Sequence, residues 1–221
     1  AAIPELKGVI SERRSKDASN TTLMKEFQGG VLVLTGANSA IGLRSMPVRY
    51  IFLDEIDAYK GDVEGEGDPV NLAIKRTSTF NRRKIFMVST PTIQSVSRIE
   101  YEYEQSDQRH YMVPCPYCNK RQSLKWKQIH WENNDPQTAV YICEHCGGII
   151  EEHLKTWMLE NGIWEKSNPS SKIAGFHLSS LYSPVGWFSW ADAVKQFLDA
   201  KNKDNLLKVW VNTVLGETWL E

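Results

Sequence analysis

Two carboxylates, Asp54 and Glu55, directly follow the apolar run Tyr50-Ile51-Phe52-Leu53. An aspartate in that position can hold Mg²⁺, and the next glutamate can orient a water for attack on a phosphoryl group. A second apolar run, Lys84-Ile85-Phe86-Met87-Val88, ends in Ser89-Thr90-Pro91-Thr92. Hydroxyls there could sense a γ-phosphate or link its loss to movement. A third group is Cys115-Pro116-Tyr117-Cys118 and Cys143-Glu144-His145-Cys146, two C-x₂-C pairs with 24 residues between them. Each turn presents two thiolates, and together they suit one tetrahedral Zn²⁺. Four cysteines leave no open coordination position, so such a metal would be structural.

The elements that must position these groups read as an α/β domain with an insertion. Val31–Leu34 reads as a buried strand after Gly29-Gly30, and residues 40–46 as a short helix or turn. Strands are expected at 50–54 and 84–88, with a helix between them opening at Asp68-Pro69 and running to about Phe80. A buried parallel strand sheds its polar groups at its carboxyl end, where α/β ligand sites form. The segment 59–68, with three glycines and four acids, reads as a mobile surface loop. A helix from about Ser95 to Glu104 precedes the cysteine region at 109–150. Within that region Gln122–Trp126 and Thr138–Ile142 are strand-like, enough for a small hairpin. Beyond it come a helix at 151–160, a strand at Ile173–Leu178, and helices near 189–201 and 203–214. Strands alternating with helices indicate a parallel sheet.

Each motif also has a plain structural reading. An acid pair after an apolar run often only opens a loop, and Ser/Thr-Pro often only caps a helix. Asp57, Asp62 and Glu64 extend the acid cluster but read as solvated surface. Arg76 and Arg82-Arg83 could be an arginine finger or phosphate contacts, or plain helix-surface arginines. His145, between two cysteines, is expected to face away from the metal. Arg121, Lys125, Trp126, Lys127 and Trp131 mix basic and aromatic residues as nucleic-acid surfaces do, although the tryptophans could equally pack the ribbon. Two disulfides are a weaker reading of the cysteines in a chain of this class.

The formal charge of the 221 residues is −1 and 41% are hydrophobic, as in ordinary globular proteins. No apolar run approaches the roughly 18 residues needed to span a bilayer. A near-zero net charge leaves nucleic-acid binding open, because only a local basic surface is required. The chain begins Ala-Ala-Ile-Pro without Met and so reads as a processed or excised piece.

The run ending in Asp54-Glu55 has the form of a Walker B strand, yet no G-x-x-x-x-G-K-[ST] phosphate loop occurs in the sequence. Together with Gly29-Gly30, Leu34–Ser39, Gly42–Ser45, Leu53–Tyr59, Ser89–Thr92, Ser106–Arg109 and Val211–Glu217, these motifs resemble the large terminase subunit of tailed phages, in its lambda-like branch. The resemblance covers nearly the whole chain. It implies a P-loop NTPase-type parallel sheet lacking its Walker A strand, with an inserted zinc ribbon. It divides the chain into part of an ATPase core at 1–108, the ribbon at 109–150, and the rest of the ATPase domain at 151–221. It assigns Asp54 to Mg²⁺ with ATP, Glu55 to the attacking water, and Ser89 and Thr90 to coupling hydrolysis with DNA movement. Arg76 could be a finger or phosphate contact. Cys115, Cys118, Cys143 and Cys146 would hold structural Zn²⁺. Implied partners are double-stranded DNA, a small terminase subunit, a portal on the procapsid and further copies of the chain, in the host cytoplasm and without a membrane. The Walker A strand is expected upstream of Ala1 and a nuclease domain after about Glu221, so the fragment alone should show little ATPase activity. Two alternatives stand beside this reading: a superfamily-2-like helicase fragment, and a zinc-ribbon nucleic-acid-binding module on a degenerate scaffold.

Overall fold

The computed structural model describes residues 21–220. They fall into two compact units, one built from 21–54 and 58–87, the other from 55–57 and 88–220. Among the described residues no helix is long and apolar enough to cross a membrane.

In the first unit, β1 (Met24–Phe27) and β2 (Gly30–Val33) form an antiparallel hairpin in the register Met24↔Val33 to Phe27↔Gly30. Gly29 supplies the positive φ of 90° at its turn. Val31–Leu34 was expected to be a buried strand. Instead, among the described residues, β2 is exposed along its length and pairs only with β1. Residues 1–20 lie outside the described part.

Helix α1 (Ala40–Arg44) opens at Ser39, whose hydroxyl accepts from Gly42 N–H at 3.1 Å. Strand β3 (Tyr50–Asp54) pairs with β4 (Lys84–Val88), and α2 (Pro69–Lys75) lies between them in sequence. Asp68 caps α2 by accepting from Asn71 N–H at 2.9 Å, with Pro69 in the first turn. This start was legible in the sequence; the end was not. Thr77 and Ser78 donate their hydroxyls to the carbonyls of Ile74 and Lys75, both at 2.8 Å. Side-chain hydroxyls thus satisfy carbonyls that further helical turns would have used, and α2 stops five residues short of Phe80. Nor are the two strands buried on both faces. Leu53 is buried, but Phe52 and Phe86 are exposed and meet at a ring-centroid distance of 6.0 Å.

In the second unit α3 (Arg98–Glu104) leads to β5 (Arg109–Pro114), the centre of a four-stranded sheet. It pairs antiparallel with β6 (Arg121–Gln122) and β10 (Ile163–Lys166), and parallel with β11 (Phe176–His177). The buried carboxylate of Asp107 ties these strands together. It accepts from Arg109 Nε and Nη2, both at 2.9 Å, from Gly175 N–H at 3.1 Å, and pairs with Lys166 Nζ at 3.3 Å. Gly175 is required here, since a Cβ would lie 1.9 Å from Ser106 Oγ.

A three-stranded sheet follows: β7 (Ile129–Glu132), β8 (Asp135–Ile142) and β9 (Ile149–Ile150). The β7–β8 hairpin turns through Asn133 and Asn134, at φ 49° and 54°, as a two-residue primed turn demands. The expected hairpin is present, but its first strand is 129–132 rather than 122–126. Helix α4 (Lys155–Glu160) precedes β10, and α5 (Trp190–Ala200) and α6 (Asp204–Trp210) follow β11. Helix α5 starts with a capping box between Ser189 and Asp192, and buries Trp190, Ala193 and Val194 at helical spacing. A π-helical turn at Val211–Leu215 is closed by Gly216 at φ 65°.

One core serves the second unit. Val113, Tyr141 and Ile150 from the strands pack with Met158, Leu181, Trp190, Val194 and Trp210 from the helical part. Among the described residues the cysteine-bearing segment therefore shares this core rather than forming its own.

Candidate nucleotide site and metal centre

Strand β3 ends at Asp54, which is exposed, and the next residue, Glu55, takes a left-handed conformation at φ 54°. In the first unit, burial raises the pKa of Tyr59, and the nearby Asp54 contributes opposing hydrogen-bond and charge effects. In the second unit, Glu55 Oε2 lies 3.4 Å from both the Ser89 hydroxyl and the Thr90 N–H. Residues 34 and 35 positions apart in sequence are thus brought together, as the two motifs required.

Asp57 corrects the sequence reading, which took it for solvated surface. Its N–H donates to Ser89 Oγ at 3.1 Å. Its Oδ2 accepts from Thr92 N–H at 3.1 Å and Thr92 Oγ1 at 3.0 Å, and its Oδ1 accepts from Ile99 N–H at 2.8 Å. Asp62 is also structural: its carboxylate accepts from the N–H groups of Gly65 and Gly67, both at 2.8 Å. With Val63 buried beneath it, that loop is hydrogen-bonded closed rather than loose.

From the other side, the carbonyl of Thr92 accepts from Asn212 Nδ2 at 2.8 Å and Trp219 N–H at 2.9 Å. Asn212 Nδ2 also donates to the Glu217 carbonyl at 2.8 Å, and Thr218 Oγ1 to Glu100 at 2.6 Å. Sequence reasoning missed this clamp, which depends on residues 118 and 120 positions apart.

The arginines have local partners. Arg76 Nη1 donates to the Arg44 carbonyl at 2.6 Å, while its Nε is buried without a hydrogen bond. Arg109 is committed to Asp107.

The four cysteine sulfurs lie within 4.8 Å of one another. Cys115–Cys146 and Cys118–Cys143 are each 3.9 Å apart. Sulfurs bound at about 2.3 Å to a tetrahedral Zn²⁺ stand about 3.8 Å from one another, so the set fits. The two turns match bond for bond. Cys115 O accepts from Asn119 N–H at 2.9 Å, and Cys143 O from Gly147 N–H at 3.0 Å. Tyr117 N–H points at Cys115 Sγ and His145 N–H at Cys143 Sγ, both at 3.4 Å. Asn119 and Gly147 adopt φ of 59° and 68°, which asparagine and glycine tolerate best. Burial pushes the Cys115 thiol up to about 12. Burial also acts on Cys143, but N–H groups of Cys146 and His145 help to bring it down to about 7. His145 Nε2 lies 3.0 Å from the Arg121 carbonyl and takes no part in the sulfur cluster.

In the cysteine-bearing segment the two tryptophans pack against other rings, and Lys125 and Arg121 have polar partners. Trp126 and Trp131 stack with each other at 5.5 Å and against Phe197, and Trp126 meets Trp210 edge-on at 4.6 Å. Lys125 pairs with Glu144, and Arg121 donates to the Asn161 carbonyl, both at 2.8 Å.

Comparisons with known proteins identify the family. Residues 1–164 match the family model of the phage terminase large subunit gpA ATPase domain, and residues 173–221 that of the gpA endonuclease domain. The second match begins well before residue 221, after which the sequence reading expected the nuclease domain. The chain is 34% identical to the terminase large subunit of Enterobacteria phage P21 and 29% identical to that of Escherichia phage lambda. These alignments cover 93% and 98% of the chain but only 36% and 37% of the relatives. No solved structure gives a significant match. Neither the helicase nor the binding-module alternative gains support. The chain belongs to the gpA family of phage terminase large subunits.

Proposed function

We propose that the chain is part of an ATP-driven motor that cuts viral DNA and moves it into a procapsid. The observation that carries this reading is the approach of the Glu55 carboxylate to Ser89 and Thr90 at 3.4 Å. Asp54 would hold the Mg²⁺ that accompanies ATP, neutralising phosphate charge. Glu55 orients the attacking water, and Ser89 and Thr90 link hydrolysis to DNA movement. A non-glycine residue held in a left-handed conformation costs about 1–3 kcal/mol, and such residues cluster at active sites. Glu55 is one of them. The order β3–α2–β4, with its strands paired, suits a P-loop NTPase-type parallel sheet within 1–108. Residues 109–150 would form a zinc ribbon holding structural Zn²⁺ through Cys115, Cys118, Cys143 and Cys146; the ATPase domain would continue from 151 to about 164, and 173–221 would open the endonuclease domain. Arg76, with its buried and unpartnered Nε, remains the candidate for a phosphate contact.

Partners on this reading are double-stranded DNA, the small terminase subunit, a portal on the procapsid and further copies of the chain, met in the host cytoplasm. No phosphate loop occurs in these 221 residues, so a working site needs that loop from elsewhere in the motor. The test compares this chain with a complete large subunit. The chain alone should show no Mg-ATP turnover above background, whereas the complete subunit should hydrolyse ATP and bind duplex DNA with steep salt dependence. Robust turnover by the chain alone would overturn the proposed division of the site, and salt-independent DNA affinity would overturn the DNA reading.

A further inference from the structure

Thr92 has all three of its polar groups engaged. Its N–H and hydroxyl go to one carboxylate, that of Asp57, and its carbonyl goes to Asn212 and Trp219. Asp57 in turn uses its own N–H on Ser89 and its second oxygen on Ile99 at the start of α3. One aspartate, two residues beyond Glu55, thus fixes both ends of the Ser89–Thr92 segment and the helix that follows it. Asp54 and Glu55, by contrast, are exposed and are not held in this way.

We propose that Asp57 is a positioning residue for hydrolysis, acting through Thr92 to hold Ser89 and Thr90 against Glu55. This rests on the nucleotide-site reading given above. The physical requirement is strict, because a displacement of about 1 Å at a reacting group can slow catalysis by about 10²-fold. The Ser89–Thr90 contacts to Glu55 are long, at 3.4 Å, so the segment depends on the stronger Asp57 bonds for its place. Asp57 itself touches no nucleotide in this scheme. Its loss should therefore change the rate of the chemical step rather than the affinity for ATP.

The experiment uses the complete large subunit with Mg-ATP. Asp57→Ala should lower kcat by about 10- to 10²-fold, the range a displacement of this size produces, with KM for ATP essentially unchanged. Thr92→Val, which removes only the hydroxyl bond to Asp57, should lower kcat less, and Thr92→Ser should restore it. Wild-type kcat in Asp57→Ala would overturn the proposal, as would a loss in KM alone. If Asp57→Ala fails to fold, the threonine pair decides: equal rates for Thr92→Val and Thr92→Ser would overturn it. Glu55→Gln separates the two levels. An inactive Glu55→Gln beside a fully active Asp57→Ala defeats only the positioning role, whereas an active Glu55→Gln defeats the site itself.

Discussion

The hydroxyl of Tyr182 donates to the carbonyl of Tyr111 at 2.8 Å across 71 residues of sequence. The same oxygen accepts from the buried Leu124 N–H at 2.7 Å. Tyr182 lies in the stretch resembling the endonuclease domain, whereas Tyr111 and Leu124 lie in the stretch resembling the ATPase domain. The two stretches are joined here by these hydrogen bonds and by a common core running from Val113 to Leu215. The boundary between the family models is therefore not a boundary in folding.

Tyr182→Phe should expose this dependence. It leaves the Leu124 N–H and Tyr111 carbonyl without their partner in a water-poor site, and burial already pushes the phenol up to about 12. Leaving such groups unsatisfied costs about 1–3 kcal/mol. Denaturant unfolding should show that loss in one cooperative transition. Two separate transitions, with only one moved, would contradict a shared core.

Metal content gives a second prediction. The purified protein should hold about one Zn²⁺ per chain, as four thiolates around one ion require, and Cys143→Ser should lose it. Because Cys143 shares its core with Tyr141 and Trp190, chelation should lower the thermal midpoint and alter the near-ultraviolet signal of those rings. An unchanged midpoint after complete chelation would exclude a structural metal.

Acid sensitivity gives a third. Hydrogen bonding from Arg109 lowers the Asp107 carboxyl to about 2, and Gly175 N–H and Lys166 act in the same direction against burial. The folded value lies below the unfolded one, so the stabilisation is full above about pH 4. It is lost as pH falls through about 2. Asp107→Asn should remove this part of the pH dependence, leaving a shallower fall in thermal midpoint between pH 4 and 2 than in the wild type. Direct titration of Asp107 near 4 would contradict the arrangement.

What was legible in the sequence was local. The two cysteine turns carry their own geometry, because Asn119 and Gly147 stand where a positive φ is needed. Asp68-Pro69 marked the start of α2, and the helix expected near 189–201 is present as α5. Asp54-Glu55 and Ser89-Thr90 were visible because each ends an apolar run. Illegible were relations that exist only after folding. Asp57 looked like one more surface acid, since its partners Thr92 and Ile99 are 35 and 42 residues away. Val31–Leu34 looked buried because four consecutive apolar residues carry no signal of which neighbour covers them. Trp126 and Trp131 beside lysines left a nucleic-acid surface and local packing both open, because their partner Phe197 comes from a helix much later in the chain.

The most direct test of the nucleotide-site account is single-turnover ATP hydrolysis by the complete large subunit carrying Glu55→Gln. Removing a group that positions or activates the attacking water should slow the chemical step by about 10²–10⁴-fold, while Mg-ATP still binds. Hydrolysis within about twofold of the wild type, well inside that range, would mean that Glu55 does not activate the water and that its approach to Ser89 and Thr90 serves only the fold.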